Sequence, residues 1–203
     1  MAEREHTQTI RLPESQYDGE TSIEKALLKR RSVRTFRDES LTLEETSQLL
    51  WSAQGITNPR GNRAAPSAGA LYPLETYIVV GNVRQLSPGV YRYTPSEHEL
   101  RMIQEGDVRG ALCKASLGQS SVRNAPLVLV FSAVYRRITS KYGERGIRYT
   151  WIEVGHVGQN VSLQAISLGL GSVMIGAFRD DEVKSVMKFG ANEDPLYMIP
   201  IGR

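Results

Sequence analysis

Two short runs of alternating apolar and polar residues, 89–93 and 99–103, stand only five residues apart in this 203-residue chain. Such runs, joined by a short turn, predict a β-hairpin, whose two strands are antiparallel. Because the strands of a doubly wound α/β domain are mostly parallel, the hairpin argues against that class. Apolar and β-branched runs predict four further strands, at residues 76–80, 127–131, 172–175 and 196–201. The chain therefore predicts an α+β fold.

Start and stop signals for helices lie between these runs. Residues 21–24 and 42–45 both read T-x-x-E, the pattern of a capping box. The second of these helices is expected to stop at Gly55 and to turn inward its apolar residues Leu43, Leu49, Leu50 and Ala53. Three more helices are predicted, from Asp107 to Gly118, over residues 148–168, and from Asp180 or Asp181 to Lys188.

The length suits one domain with a sizeable core. Residues 1–20 show little periodicity and predict a loosely ordered arm, whereas residues 21–203 contain no repeat or linker and predict a single domain. No stretch reaches 18 apolar residues, and the N-terminus lacks the apolar core of a signal peptide, so no membrane association is expected. The lone Cys113 cannot form an internal disulfide, which favours a cytoplasmic location.

The arginines are concentrated in one place. The chain carries 25 basic and 22 acidic residues, a net charge of only +3, yet residues 30–37 (RRSVRTFR) hold four arginines in eight positions. Cations at the end of a helix interact favourably with its dipole, which would explain part of this cluster. Alternatively, Arg30, Ser32 and Arg34 alternate, so an extended backbone would turn all three to one side, where they suit a phosphate.

Several segments, in chain order, resemble those of one family. RRSVRTF, from Arg30, resembles the segment that binds the FMN phosphate in the nitroreductase family. APSAGALYPLE, residues 65–75, resembles an element of its SagB-type dehydrogenase branch. Further segments similar to that branch or the family are KYGERGIRY (141–149), EVGHVGQN (153–160), LGLGS (168–172) and PIGR (200–203). The chain is therefore identified as a nitroreductase-like protein of the SagB type.

The resemblance implies a fold, a cofactor and a set of binding residues. It implies a mixed, mainly antiparallel sheet packed between helices, and an FMN enzyme that is a homodimer with its sites at the subunit interface. NAD(P)H is a candidate co-substrate. The residues implied at the FMN phosphate are Arg30, Arg31, Ser32, Arg34 and Arg203. The residues implied at the flavin ring are Pro66, Ser67, Ala68, Gly69, Leu71, Gln119, Ile175 and Gly176.

One position departs from the family pattern. Many nitroreductases have a Glu-Gly pair whose backbone amide faces flavin N5, and this chain has Gly176 and Ala177 there instead. A backbone N–H is still present at this position in this chain, whereas the glutamate side chain is absent. The departure counts against behaviour typical of the nitro-reducing branch.

Lys141 and Tyr142 are the residues that the resemblance implies as catalytic. In azoline-oxidising members of the SagB-type branch, a Lys-Tyr pair is implicated in removing a proton. Neighbouring residues on a helix do not face one side, so both can serve one site only in a loop or at a helix end. Gly143 and Gly146 follow directly and favour such a place. The alternative is a surface lysine beside a packing tyrosine.

The leading functional hypothesis is an oxidoreductase that moves hydride between flavin N5 and a small-molecule substrate or NAD(P)H. One alternative is an azoline dehydrogenase acting on a modified peptide. A non-enzymatic alternative is a nucleic-acid-binding module using residues 30–37, although acidic residues flank this cluster and no nucleic-acid partner is expected. A flavin-binding relative without turnover also stays open. His6, His98 and His156 lack ligand-like spacing, so no metal site is predicted.

Overall fold

The computed structural model describes residues 9–203, and these form one seven-stranded sheet with helices on both faces. The strands are β1 (Thr9–Arg11), β2 (Leu74–Val80), β3 (Gly89–Thr94), β4 (Glu99–Glu105), β5 (Leu127–Ala133), β6 (Gly171–Ser172) and β7 (Asp194–Gly202). Their order across the sheet is β1-β4-β3-β2-β5-β7-β6, and the neighbouring strands pair antiparallel. The predicted hairpin and the α+β class are confirmed.

The helices are α1 (Ile23–Lys29), α2 (Leu43–Gln54), α3 (Arg109–Ala115), α4 (Ser120–Asn124), α5 (Arg136–Tyr142), α6 (Arg145–Ser167) and α7 (Asp180–Met187). A short 3-10 turn spans Ala68–Ala70. None of the helices in the described part of the chain is long and apolar enough to cross a membrane.

Strand β5 shows why both faces of the sheet are covered. Its alternate residues Leu127, Leu129 and Phe131 pack on the side of α2 and α6, whereas Val128 and Val130 pack on the side of α3, α4 and α7. All five are fully buried. Because both faces are packed, the strand is a continuous apolar run, and its predicted central position is confirmed. Burying each such side chain stabilises the fold by about 1.5–3 kcal/mol.

The predicted helix starts are right for α2 and shifted for α1 and α3. Thr42 Oγ1 accepts a hydrogen bond from Glu45 N, and Glu45 Oε2 accepts one from Thr42 N, which completes the capping box. In α1 the cap is Ser22 rather than Thr21. In α3 the N-cap is Val108, and Asp107, one residue earlier, accepts hydrogen bonds from the backbone N–H and the guanidinium of Arg109.

The prediction of a loosely ordered arm is wrong for residues 9–16. Thr9 pairs with Arg101, and Leu12 N donates to the carbonyl of His98. Leu12 is buried in the core, and Gln16 exchanges hydrogen bonds with Gln48 of α2. The open edge of β4 supplies the partner for β1, a contact that a three-residue strand cannot signal in its own sequence. Residues 1–8 of the predicted arm lie outside the described residues.

The sheet has two ends that matter for the site. Leu74 of β2, Ala133 of β5 and Asp194 of β7 are register partners at what we call the upper end. Val80, Leu127 and Ile201 are partners at the lower end, where β6 joins the sheet through Ser172.

Candidate active site

The arginine-rich segment lies along the lower end of the sheet. Ser32 forms a parallel bridge with Ser172 of β6, and Val33 N donates to the Ser172 carbonyl at 2.9 Å. Two glycines allow this close approach: a Cβ on Gly171 would lie 2.8 Å from the Val33 side chain, and one on Gly202 would lie 2.8 Å from Phe36. The segment is therefore fixed by its backbone and by these apolar contacts.

The side chains of Arg30, Ser32 and Arg34 in this segment are available to bind a ligand. Ser32 and Arg34 are exposed and Arg30 is half-buried. Within residues 9–203, neither Arg30 nor Arg34 forms an ion pair. Two guanidinium groups with free donors beside a hydroxyl are a suitable set of ligands for a phosphate.

The other two residues expected at the phosphate have partners of their own. Arg31 donates hydrogen bonds to the backbone carbonyls of Leu28, at 3.0 Å, and of Arg30, at 2.7 Å. Its guanidinium therefore satisfies carbonyl groups at the C-terminal end of α1. Arg203 forms an ion pair with Glu45 and lies 3.7 Å from Glu39. The charge of Arg203 is thus partly neutralised, and any phosphate would share its guanidinium with these carboxylates.

Gln119 and the Ile175–Gly176 pair come together near the middle of the sheet. Gln119 Nε2 donates to the Ala177 carbonyl at 2.9 Å, and Ile175 exchanges two backbone hydrogen bonds with Met198. Ile175 is buried and Gly176 is exposed. The glutamine amide therefore fixes the loop that presents Gly176.

Lys141 and Tyr142 meet the predicted flavin loop at the upper end. Gly69 has φ +64°, and a Cβ there would lie 2.7 Å from Tyr142 Oη and 3.1 Å from Lys141 Nζ. Because α5 ends at Tyr142 and Gly143 has φ +56°, both side chains reach the same place from a helix end. Lys141 Nζ also lies 5.3 Å from the Tyr142 ring centroid, a cation–π contact. The pair therefore lies at a helix end, and its catalytic role stays a prediction.

Glu153, to which sequence reasoning assigned no role, lies buried behind this loop. It is 2% exposed, and within the described part of the chain neither carboxylate oxygen has a hydrogen-bond partner. Burial raises its pKa to about 7, opposed by the nearby Ser67 hydroxyl, the Arg63 guanidinium and the Gln54 amide, none of which forms a well-shaped bond to it. The signal in the sequence is a carboxylate on the inward face of an amphipathic helix.

One chain does not bring all the predicted residues together. Ser32 and Arg203 lie at the lower end of the sheet, whereas Gly69 and Lys141 lie at the upper end. The two ends of β2 are about 20 Å apart, and β6 is three strands away from β2, about another 14 Å. The phosphate residues and the ring-loop residues are therefore separated along both directions of the sheet.

With this geometry in place, comparison with known proteins identifies the family. The model of the nitroreductase family matches residues 27–203, which include both ends of the site. The chain belongs to the nitroreductase family. MJ1384 of Methanocaldococcus jannaschii, a protein named as a candidate nitroreductase, is 46% identical over 197 residues, with 97% of each chain covered.

Two other relatives extend the family comparison. A nitroreductase candidate from Anabaena variabilis has a similar crystal structure, with a TM-score of 0.86 and 33% identity, covering 97% of this chain and 42% of the other. McbC, a microcin B17-processing protein of Escherichia coli, is 28% identical over 72% of this chain and 56% of its own. A chain of the E. coli microcin synthetase McbBCD complex with truncated pro-MccB17 bound gives a TM-score of 0.73 and 25% identity, covering 88% and 72%. The nitroreductase-like fold is confirmed.

Proposed function

We propose that this protein is an FMN-dependent oxidoreductase that works as a homodimer with two shared sites. Bound FMN would supply the hydride acceptor and donor at N5. The partner in the reaction would be a small-molecule substrate or NAD(P)H. A cytoplasmic location stays a prediction from the lone Cys113.

The observation that carries this proposal is the separation of the two ends of the sheet. Residues expected at the phosphate and residues of the predicted flavin loop form two ordered clusters that lie far apart within one chain. Gln119, Ile175 and Gly176, also expected at the ring, form a third group beside Met198 of β7. If the lower end of one copy meets the upper end of a second copy, each site is complete. A two-fold dimer would form two such sites, since both copies offer both ends.

Exposed apolar side chains favour a second copy as the partner. On α1, Ile23, Leu27 and Leu28 are 55%, 53% and 73% exposed, and on α6, Trp151 and Ile152 are 59% and 50% exposed. Gly155 of α6 faces open space, where a Cβ would touch nothing. Exposed large apolar side chains on each of these helices mark interaction surfaces, and a glycine permits close helix approach.

The residues present fit FMN and suggest what each would do. Arg30, Ser32 and Arg34 would bind the phosphate, and Arg203 would add a donor beside them. The loop Ser67–Leu71 has small side chains and a positive-φ glycine, which let backbone approach a flat ring. Gln119 would hold the Gly176 loop in place. Lys141 or Tyr142 would take a proton from the substrate.

A second candidate function is dehydrogenation of an azoline in a modified peptide. It is favoured by the position of Lys141 Nζ and Tyr142 Oη, both against Gly69, because aromatisation needs a base beside the hydride acceptor. The relationship to the microcin-processing protein McbC supports it further. NAD(P)H-driven reduction would not need this base.

The test of the proposed function is cofactor content. The purified protein should be yellow with about one FMN per chain, as the two-fold arrangement requires. Arg30→Ala with Arg34→Ala should weaken FMN binding about 100-fold, because two charge-assisted contacts are lost. Arg37→Ala, an exposed arginine of the same segment, is the matched control and should retain FMN. Colourless protein that fails to take up added FMN would refute the proposal.

A further inference from the structure

A cavity of about 350 Å³ lies at the upper end of the sheet, beside the predicted flavin loop, with which it shares Leu71. It is formed where β2 begins and β3 ends, and Leu71, Tyr72 and residues 94–96 complete its wall. Three arginines and one carboxylate supply its charged groups, Arg63, Arg92, Arg137 and Glu75. A volume of this size admits a small organic molecule rather than a single water.

The carboxylate does not satisfy the three arginines. Glu75 is buried and pairs with Arg92 through Oε2 and with Arg137 through Oε1. Arg92 uses Nε and Nη2 for this contact, at 2.9 and 2.7 Å. Since each guanidinium carries five N–H donors, both arginines keep donors for another acceptor.

Arg63 is the cation that has no carboxylate partner. It forms no ion pair with any residue from 9 to 203. Its guanidinium donates to Gln54 Oε1 at 2.9 Å and lies 4.2 Å from the ring centroid of Tyr72, which fixes its plane. Burial lowers the pKa of Arg63, and the nearby carboxylates of Glu153 and Glu75 oppose this shift only in part, a sign that removing this charge from water is unfavourable. An anion beside it would offset that cost.

Thr76 adds a second, independent observation. It lines the cavity and is 2% exposed, and its hydroxyl has no hydrogen-bond partner among the described residues. A buried hydroxyl without a partner is unfavourable by about 1–3 kcal/mol, so such groups normally have one. A bound anion would accept this hydrogen bond.

The cavity also lies close to the candidate catalytic pair. Arg137 and Lys141 stand four residues apart on α5, so they share one face, about 6 Å along the helix from each other. Leu71 belongs both to the cavity lining and to the predicted flavin loop. A molecule anchored in the cavity by an anionic group can therefore extend past Leu71 towards Gly69, where Lys141 Nζ and Tyr142 Oη lie.

We propose that this cavity binds the carboxylate or phosphate group of a small organic anion, and that Arg63 and the Thr76 hydroxyl are its defining ligands. The identification of that anion as the substrate of the enzyme rests on the proposed function. The anion-binding site itself does not.

Calorimetric titration of the protein as purified, with inorganic phosphate in one arm and succinate in the other, tests the site. At least one anion should bind with a Kd of about 1 mM or tighter, and the arm that binds distinguishes phosphate from carboxylate recognition. Thr76→Val and Arg63→Gln should each weaken binding about 10-fold. Arg179→Gln, which alters an exposed ion-paired arginine elsewhere, should leave binding unchanged.

Thr76→Val keeps the test decisive if Arg63→Gln fails to fold. This variant keeps the side-chain shape and removes a hydroxyl without a partner, so thermal stability should be equal or higher while anion affinity falls. Binding of neither anion, or equal binding by wild type and Thr76→Val (an adventitious ion only), would overturn the site.

FMN content, read from absorbance, separates the two proposals. Protein that holds FMN but no anion refutes the cavity alone, whereas protein that binds anion but never FMN refutes the proposed function alone.

Discussion

The residues at the two ends of the sheet are held in place by different kinds of contact. At the lower end, backbone hydrogen bonds to Ser172 and glycine contacts hold the arginine-rich segment, while its cationic side chains stay free. At the upper end, side chains hold one another, and ionisable groups such as Glu153 and Glu75 are buried. The free cationic side chains at the lower end can therefore bind an anionic ligand. The upper end contains groups whose protonation and position the fold itself controls.

The largest effect on FMN retention is expected from variants that stop two copies from associating, so that the lower end of one copy no longer meets the upper end of the other. Leu27→Glu together with Ile152→Glu places charge on the exposed apolar surface of α1 and α6, and should give a monomer. FMN retention should fall more than about 100-fold, since each copy alone offers half a site. Sedimentation and flavin absorbance measure the two effects. Leu117→Glu changes an equally exposed leucine outside these helices and should stay dimeric and yellow. A monomer that retains FMN would contradict the shared site.

The next effect concerns the upper end alone. Gly69→Ala puts a methyl group 2.7 Å from Tyr142 Oη and 3.1 Å from Lys141 Nζ. These are the tips of flexible side chains, so they can move at little energetic cost, but the displacement should lower turnover about 100-fold. Gly61→Ala is the matched control, with φ +79° and open space around the new methyl. Both variants should lose about 1 kcal/mol of stability through strain, and only Gly69→Ala should lose turnover. Equal turnover in the two would count against the catalytic pair.

A smaller effect tests the buried carboxyl of the upper end. Because the folded-state pKa of Glu153 is raised from 4.5 to about 7, the folded protein keeps a proton that the unfolded chain releases. The free energy of unfolding should therefore fall as pH rises from about 4.5 to about 7 and then level off. Glu153→Gln removes this slope and should be more stable than wild type by about 3 kcal/mol at pH 8, with no gain near pH 4.5.

Urea unfolding at both pH values measures this difference. Glu144→Gln, at an exposed position before α6, provides the control and should follow the wild-type pH dependence. A Glu153→Gln variant with the same pH slope as wild type would show that the pKa of Glu153 is not raised by folding.

The smallest effect sharpens the account of the lower end. Arg31 donates to two carbonyls at the end of α1, so Arg31→Ala should lower stability by about 0.5 kcal/mol and leave FMN affinity nearly unchanged. Fluorescence titration with FMN checks this directly. If Arg31→Ala weakened FMN binding as much as Arg30→Ala does, Arg31 would also be a ligand of the phosphate.

How far the sequence predicts each region follows from how local its contacts are. The hairpin, the apolar run 127–131 of β5 and the capping box of α2 depend on neighbours a few residues away, and the sequence predicts all three. The arginine cluster is likewise contiguous. Strand β1 was missed because its partner β4 lies about 90 residues further along the chain.

The upper end needed the structure for the same reason. The Glu75–Arg137 pair joins residues 62 apart, and Glu153 of α6 faces Gln54 of α2. The periodicity of α6 places Glu153 on the inward face, but nothing in the sequence indicates that its carboxylate has no hydrogen-bond partner there. The Lys141–Tyr142 pair was found only because a family resemblance pointed to it, and its apposition to Gly69 depends on the fold.

Mixing two inactive variants tests the shared site most directly. One variant carries Arg30→Ala and Arg34→Ala at the lower end, and the other carries Lys141→Ala and Tyr142→Phe at the upper end. After exchange of subunits, half of the dimers are mixed, and each mixed dimer has one site with both ends intact. We expect about a quarter of wild-type activity to return. If the mixture is as inactive as its components while subunit exchange is demonstrated, each site lies within one chain, and the account is wrong.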